Sequence, residues 1–148
     1  MNLSKDVKVS TAITSAAGVA DTADITGTIL DMSNYEGVLM IVRFGVITGS
    51  AVTSIKAQQD AAAAMGGAAD LEGTSITVAD DDDDQIFIID LYRPRERYVR
   101  LYVDRGTQNA VVASAVYIQY GPRKKPVSNN VTNKVTTETN ISPAEGTA

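Results

Sequence analysis

Apolar residues recur along this chain with a period of two, and that feature decides most of what it can fold into. In Val7-Lys8-Val9-Ser10-Thr11 apolar and polar side chains alternate. Between Val52 and Gln58, Thr53, Ile55 and Ala57 oppose Val52, Ser54 and Lys56, and Tyr98 to Val103 alternates in the same way. Alternation of this kind sorts side chains onto the two faces of an extended strand, whereas a helix needs a period near 3.6. Val38 to Ile47 is almost continuously apolar and rich in β-branched residues. It is bounded by the turn-like clusters Asn34-Tyr35-Glu36-Gly37 and Thr48-Gly49-Ser50, and it reads as a central strand covered on most of both faces.

Thr74–Val78, Ile86–Tyr92 and Val111–Tyr120 supply further strands, with a weaker one over Ile25–Leu30. About eight strands joined by Gly-, Asp- and Asn-rich turns predict an all-β fold, an antiparallel β-sandwich or jelly roll. One segment departs from the period. Asp60 to Asp70 holds four consecutive alanines and then Gly66-Gly67, which predicts one helical turn inside a surface loop.

From Pro122 the character changes. Residues 122–148 contain no aromatic side chain, and apart from alanine their large apolar residues are Val127, Val131, Val135 and Ile141. Such a segment cannot bury enough apolar surface to offset the entropy of ordering itself. The expected organisation is therefore a β domain over residues 1–121 and an extended or disordered arm over 122–148, the arm ordering across a neighbouring subunit.

Composition excludes whole classes of chemistry. Among 148 residues there is no His, no Cys and no Trp. Disulfide scaffolds, Cys- or His-based zinc sites, Cys–His nucleophiles and Ser–His–Asp triads are thereby removed. A catalyst would have to rest on paired carboxylates, a lysine or a metal. Asp60, Asp70 and Glu72 fall in an expected loop with no visible partner base, and Gly66-Gly67 lacks the Gly-Lys-Ser/Thr continuation of a phosphate loop. The chain is expected not to be an enzyme and to carry no cofactor. Its N-terminal residues show no apolar leader region, and the longest apolar run carries Arg43 and is too short to span a bilayer, so no membrane partner is expected.

Charge is distributed unevenly. Residues 1–92 hold four Lys/Arg and fourteen Asp/Glu, whereas residues 93–125 hold eight Lys/Arg and two Asp/Glu. Acidic and basic parts on one small chain suggest charge-complementary contacts, between copies or within a larger assembly. A net charge of −5 speaks against direct nucleic-acid binding.

Two charged segments stand out. Asp80 to Asp84 is a run of five carboxylates without the spacing of an EF-hand. In an extended chain only alternate members, Asp80, Asp82 and Asp84, share a face and so form a candidate cation site. A solvated acidic turn between two strands is the expected role, and no metal is assigned. In Arg93-Pro94-Arg95-Glu96-Arg97-Tyr98-Val99-Arg100-Leu101-Tyr102-Val103, alternation directs Val99, Leu101 and Val103 to the core and Tyr98, Arg100 and Tyr102 outward. Tyr and Arg are the residues enriched at interface hot spots. Together with the basic corner Arg93, Arg95 and Arg97 and the triplet Arg123, Lys124 and Lys125, they are the expected protein interface.

Several of these segments together resemble a known family. A long apolar strand follows Tyr35-Glu36-Gly37 and passes through Gly45-Val46-Ile47-Thr48-Gly49. An alternating strand carrying Lys56 comes next, then Arg97-Tyr98-Val99-Arg100, and a last strand ends in Gly121-Pro122-Arg123-Lys124-Lys125-Pro126. Over roughly residues 22–126 this resembles the small head proteins of tailed bacteriophages that serve as capsid cement or decoration proteins. The chain departs from that pattern at Ile88 to Pro94, where no glycine interrupts the segment, and in its Asn/Thr-rich arm. The resemblance implies a virion structural protein that binds the outside of the capsid lattice and cements the major capsid protein. Its expected partners are that protein and further copies of itself, as a dimer rather than a trimer. Its expected place is the virion, after synthesis in the host cytoplasm. Two other readings are a tail, neck or baseplate subunit and a calcium-dependent carbohydrate-binding module.

Overall fold

A computed structural model describes residues 2–129, 134–142 and 144–146. The fold is nearly all-β, with two antiparallel sheets. A four-residue helix α1 (Leu3–Asp6) precedes the strands β1 (Lys8–Ile13), β2 (Ile25–Thr26), β3 (Leu30–Asp31), β4 (Gly37–Ile47) and β5 (Val52–Asp60). They continue with β6 (Ala69–Asp70), β7 (Ile76–Val78), β8 (Ile86–Tyr92), β9 (Tyr98–Gly106) and β10 (Ala110–Tyr120). The first sheet runs β1-β10-β4-β8. The second is built on β9 and β5, with β2 and β3 on the β9 side and β6 and β7 on the β5 side. No helix among the described residues is long and apolar enough to cross a membrane.

Both sheets contribute to one buried cluster. Val38, Met40, Val42 and Phe44 of β4 enter it from the first sheet, and Ile55, Ala57, Val99, Leu101 and Val103 from the second. The period of two thus becomes burial, one face of each strand leaving water. Covering is uneven, however. The expectation that β4 is covered on most of both faces is corrected for one of them, where Leu39 and Ile41 are half-buried and Arg43 is exposed.

The expected strand over Ile25–Leu30 is two short strands divided at Gly27. A Cβ there would fall 2.6 Å from the Tyr117 hydroxyl and 2.9 Å from the Leu101 carbonyl oxygen, so only glycine lets this backbone pass. Nor does Asp60–Asp70 form the expected helical turn. The Asp60 carboxylate accepts the N–H groups of Ala62 (2.9 Å) and Gly67 (2.8 Å), which folds the loop around that side chain. The chain then returns as β6 beside β5. A side chain that satisfies loop amides competes directly with the helical ladder.

The arm has no regular secondary structure among its described residues, but its first part is held by its own chain. Val127 donates its N–H to the Lys5 carbonyl (2.9 Å), and Lys125 pairs with Asp6 at 2.7 Å. Asn129, 6% exposed, accepts the Val9 N–H (2.7 Å) and donates to the carbonyls of Ser4 (3.1 Å) and Val7 (3.0 Å). The expectation that residues from Pro122 onward order only against a neighbour is therefore corrected as far as Asn129. The amide of one side chain satisfies three backbone groups beside β1, which is the part polar residues can play without an apolar core. Val131 lies outside the described residues. Replacing Asn129 by alanine leaves those groups unpaired and is expected to cost about 2 kcal/mol. Urea denaturation, with faster hydrogen exchange at the Val9 amide, checks it.

Candidate functional site

The connection from β8 to β9 carries the basic corner. Its first residue, Arg93, has a φ of 51°, in the left-handed region that residues other than glycine rarely enter. Two contacts hold it there: its N–H donates to the Glu36 carbonyl at 2.7 Å, and its guanidinium lies 5.0 Å from the centre of the Tyr92 ring. Arg97 grips Asp31 with both arms, Nε to Oδ1 at 3.0 Å and Nη2 to Oδ2 at 2.6 Å. Asp31 is delivered by β3, which pairs with the start of β9 in the register Asp31↔Tyr98. The Arg97 guanidinium holds the Asp31 carboxyl well below the usual carboxylate range.

Arg123 reaches the same place from the far end of β10. Gly121, with a φ of 61°, turns the chain, and the Arg123 N–H donates to the Asn34 carbonyl at 2.9 Å. The turn that follows β3 is thus bracketed by the two arginine-bearing segments. Between them lies an open cleft of about 660 Å³, lined by Arg93, Arg95, Arg97 and Arg123 and, on the other wall, by Tyr35 and Glu36. Four guanidinium groups in one cleft are partly offset by Glu36 and Glu96, and Arg97 is already paired. Arg95 and Arg123 are both exposed, and their guanidinium groups have no hydrogen-bond or ion-pair partner among the described residues. Planar groups with five donors and no acceptor on hand suit carboxylate or phosphate oxygens.

The other expected interface residues sit elsewhere. Tyr98, Arg100 and Tyr102 lie half-buried on the outer face of β9, opposite Asp60, Gln58 and Lys56 of β5. Arg100 Nε donates to Gln58 Oε1 (2.8 Å), and Gln58 Nε2 to Asp70 Oδ1 (2.8 Å). Lys56 pairs with Asp70 at 2.7 Å while its Nζ stands 5.1 Å from the Tyr102 ring centre. The Tyr102 hydroxyl donates to Asp24 (2.7 Å), which raises the pKa of the phenol. This row is a cross-strand network within one sheet, and its donors and acceptors are largely satisfied by the chain itself. Lys125 is held by Asp6, and exposed Lys124 lines a smaller cleft of about 290 Å³ with Lys8 and Tyr35.

The acidic run is used by the backbone around it. Asp80 accepts the Ser50 N–H (2.5 Å), Asp82 the Ala79 N–H (2.8 Å) and Asp83 the Ile47 N–H (2.7 Å), while Asp84 pairs with Arg43 (2.5 Å). Asp80, Asp82 and Asp84 therefore face three different partners, and no group of three acidic side chains among the described residues is arranged to hold a metal ion. Repetition in sequence signals a cluster, but turn formation separates its members.

Asp31, Tyr35 and Glu36 were not among the expected site residues. Asp31 lies 66 positions from Arg97, and no local pattern links them; only the β3–β9 register does. Comparisons with protein-family models, with curated proteins and with solved structures find no match for this chain.

Proposed function

We propose that the chain is a non-enzymatic structural protein of a tailed-phage virion, a cement or decoration protein that binds the outside of the capsid lattice. Its two sheets around one buried cluster are read as a β-sandwich of the jelly-roll kind. The major capsid protein is the proposed partner, together with a second copy of the chain itself. The observation that carries this reading is the open arginine cleft, in which the Arg95 and Arg123 guanidinium groups have no partner among the described residues, beside the Arg97–Asp31 pair and the Gly121 turn. Unpaired guanidinium groups on an anchored backbone favour docking onto an acidic surface, because no ion pair within the chain has to be broken first. Repetition over a lattice then multiplies contacts that are individually modest.

The test is direct. The double variant Arg95→Glu/Arg123→Glu is expected to bind particles lacking this protein at least about tenfold more weakly than the parent, roughly 1.4 kcal/mol. Its binding should also depend less steeply on salt, while thermal unfolding is unchanged. Equal binding and equal salt dependence would sink the docking role of the cleft. Quantitative mass spectrometry of purified particles tests the placement: a copy number near that of the shell protein fits the head, and a few per cent of it moves the chain to tail or neck.

A further inference from the structure

Most sheet edges of this molecule are protected. In the second sheet the outer strands β2, β3, β6 and β7 are only two or three residues long, and short edges offer little to pair with. The β1 edge of the first sheet is covered: Asn129 occupies the Val9 N–H, and Thr28 bonds the carbonyls of Thr11 and Ala12. The opposite edge is different. β8 is seven residues long, ends the first sheet, and has no strand on its far side among the described residues.

The direction of its backbone groups follows from its flanks. The Gln85 carbonyl accepts from Phe44 and the Arg93 N–H donates to Glu36, both toward β4. Alternation along an antiparallel ladder then turns the N–H and C=O groups of Ile86, Ile88, Asp90 and Tyr92 to the open edge. Those same residues carry their side chains on the uncovered face, where Ile86, Ile88 and Tyr92 are each more than half exposed. The strand's one charge does not guard the edge. The Asp90 carboxylate is drawn back over the sheet by the Tyr120 hydroxyl at 2.7 Å. Tyr120 reaches it across Gly37, where a Cβ would stand 2.3 Å from the ring.

We infer that β8 pairs antiparallel with β8 of a second copy, joining the two four-stranded sheets into one across a two-fold axis. The ends of the strand select this partner. The acidic run Asp80–Asp84 precedes β8, and Arg93 and Arg95 follow it. Antiparallel self-pairing sets each copy's acidic run beside the partner's arginines, twice over. Parallel pairing would set like charges together instead. With the axis through Ile89, Ile88 lies opposite the partner's Asp90 and Ile86 opposite the partner's Tyr92. Such a contact is isologous and closed, so it ends at the dimer and does not grow into a fibre. This deepens the assembly reading by naming one neighbour of the arginine corner, yet it stands on the edge itself.

The experiment is light scattering and sedimentation of the purified full chain from micromolar to millimolar concentration, without particles. A dimer is expected, with the amides of Ile86, Ile88, Asp90 and Tyr92 protected from hydrogen exchange. Ile88→Lys, and separately Ile88→Pro, which removes an N–H that β4 does not use, should each raise the dimer dissociation constant at least about tenfold. Asp81→Arg should weaken the dimer and Asp81→Arg/Arg95→Asp restore it. A chain that stays monomeric throughout, or a dimer indifferent to both Ile88 variants, overturns the inference. Particle binding by such a monomer would leave the cement reading intact, whereas a β8 dimer that ignores particles would do the reverse.

Discussion

Phe44→Ala is expected to lower stability by about 4 kcal/mol, the middle of the range for deleting a buried aromatic ring. Phe44 is fully buried in the second half of β4 and meets Phe87 of β8 edge-on, with ring centres 5.6 Å apart. Removing it takes away its own burial and one half of that aromatic pair. It also leaves a cavity beside strands that β4 holds in register, β8 from Gly37 to Arg43 and β10 from Gly37 to Ile47, which limits how far the gap can close. A melting temperature lower by about 10 °C, on the usual scaling for a domain of this size, checks it by calorimetry. A loss below about 1 kcal/mol would mean that the core repacks around the site, as volume-tolerant cores do.

Arg105→Met is expected to cost about 3 kcal/mol, an effect of satisfied polar groups and not of apolar area. Arg105 is 5% exposed. Its Nε donates to the Ala23 carbonyl (2.5 Å), and its Nη1 to the carbonyls of Val19 (2.8 Å) and Ala110 (2.8 Å). The guanidinium thereby ties the long connection between β1 and β2 to β10. Desolvation lowers the pKa of this arginine, with Asp21 and Asp24 opposing that shift. Methionine fills much of the volume but leaves three carbonyls without donors. Residues 14–24 should therefore open first, which hydrogen exchange or limited proteolysis detects below the global melting transition. Arg105→Lys is not expected to rescue the loop, since an ammonium cannot reproduce the planar fork that reaches three carbonyls at once.

Much of the strand content is legible in the residues because its cause is local. Ile86–Tyr92 is bounded in the fold as the residues suggest, and Val99, Leu101 and Val103 are fully buried while Tyr98, Arg100 and Tyr102 keep the other face. Burial of alternate residues needs no knowledge of which strand lies alongside. What the residues do not reveal are the places where a distant group intrudes. Gly27 breaks an otherwise plausible strand because Tyr117 and Leu101 press against it. Asp60 overrides four alanines by bonding two loop amides. The arm is polar enough to be read as unanchored, yet Asn129 finds three backbone partners more than a hundred residues away.

The candidate site divides in the same way. Arg93, Arg95 and Arg97 announce a basic corner through their spacing and the proline between them, but Arg123 joins it only because β10 ends beside the turn after β3. Of those arginines, Arg97 is removed from the available set by Asp31. The carboxylates of the acidic run look like a unit in the chain and take separate partners on β4 and the turns beside it in space. Period, charge order and the absence of His and Cys are properties of neighbouring residues or of composition, so the chain alone determines strands, an acidic-then-basic layout and the lack of His- and Cys-based side-chain chemistry. Which cations stay unpaired, and which sheet edge stays open, depend on contacts between residues far apart in the chain. Those were decided only when β3 met β9, Asn129 met β1, and no strand among the described residues covered β8.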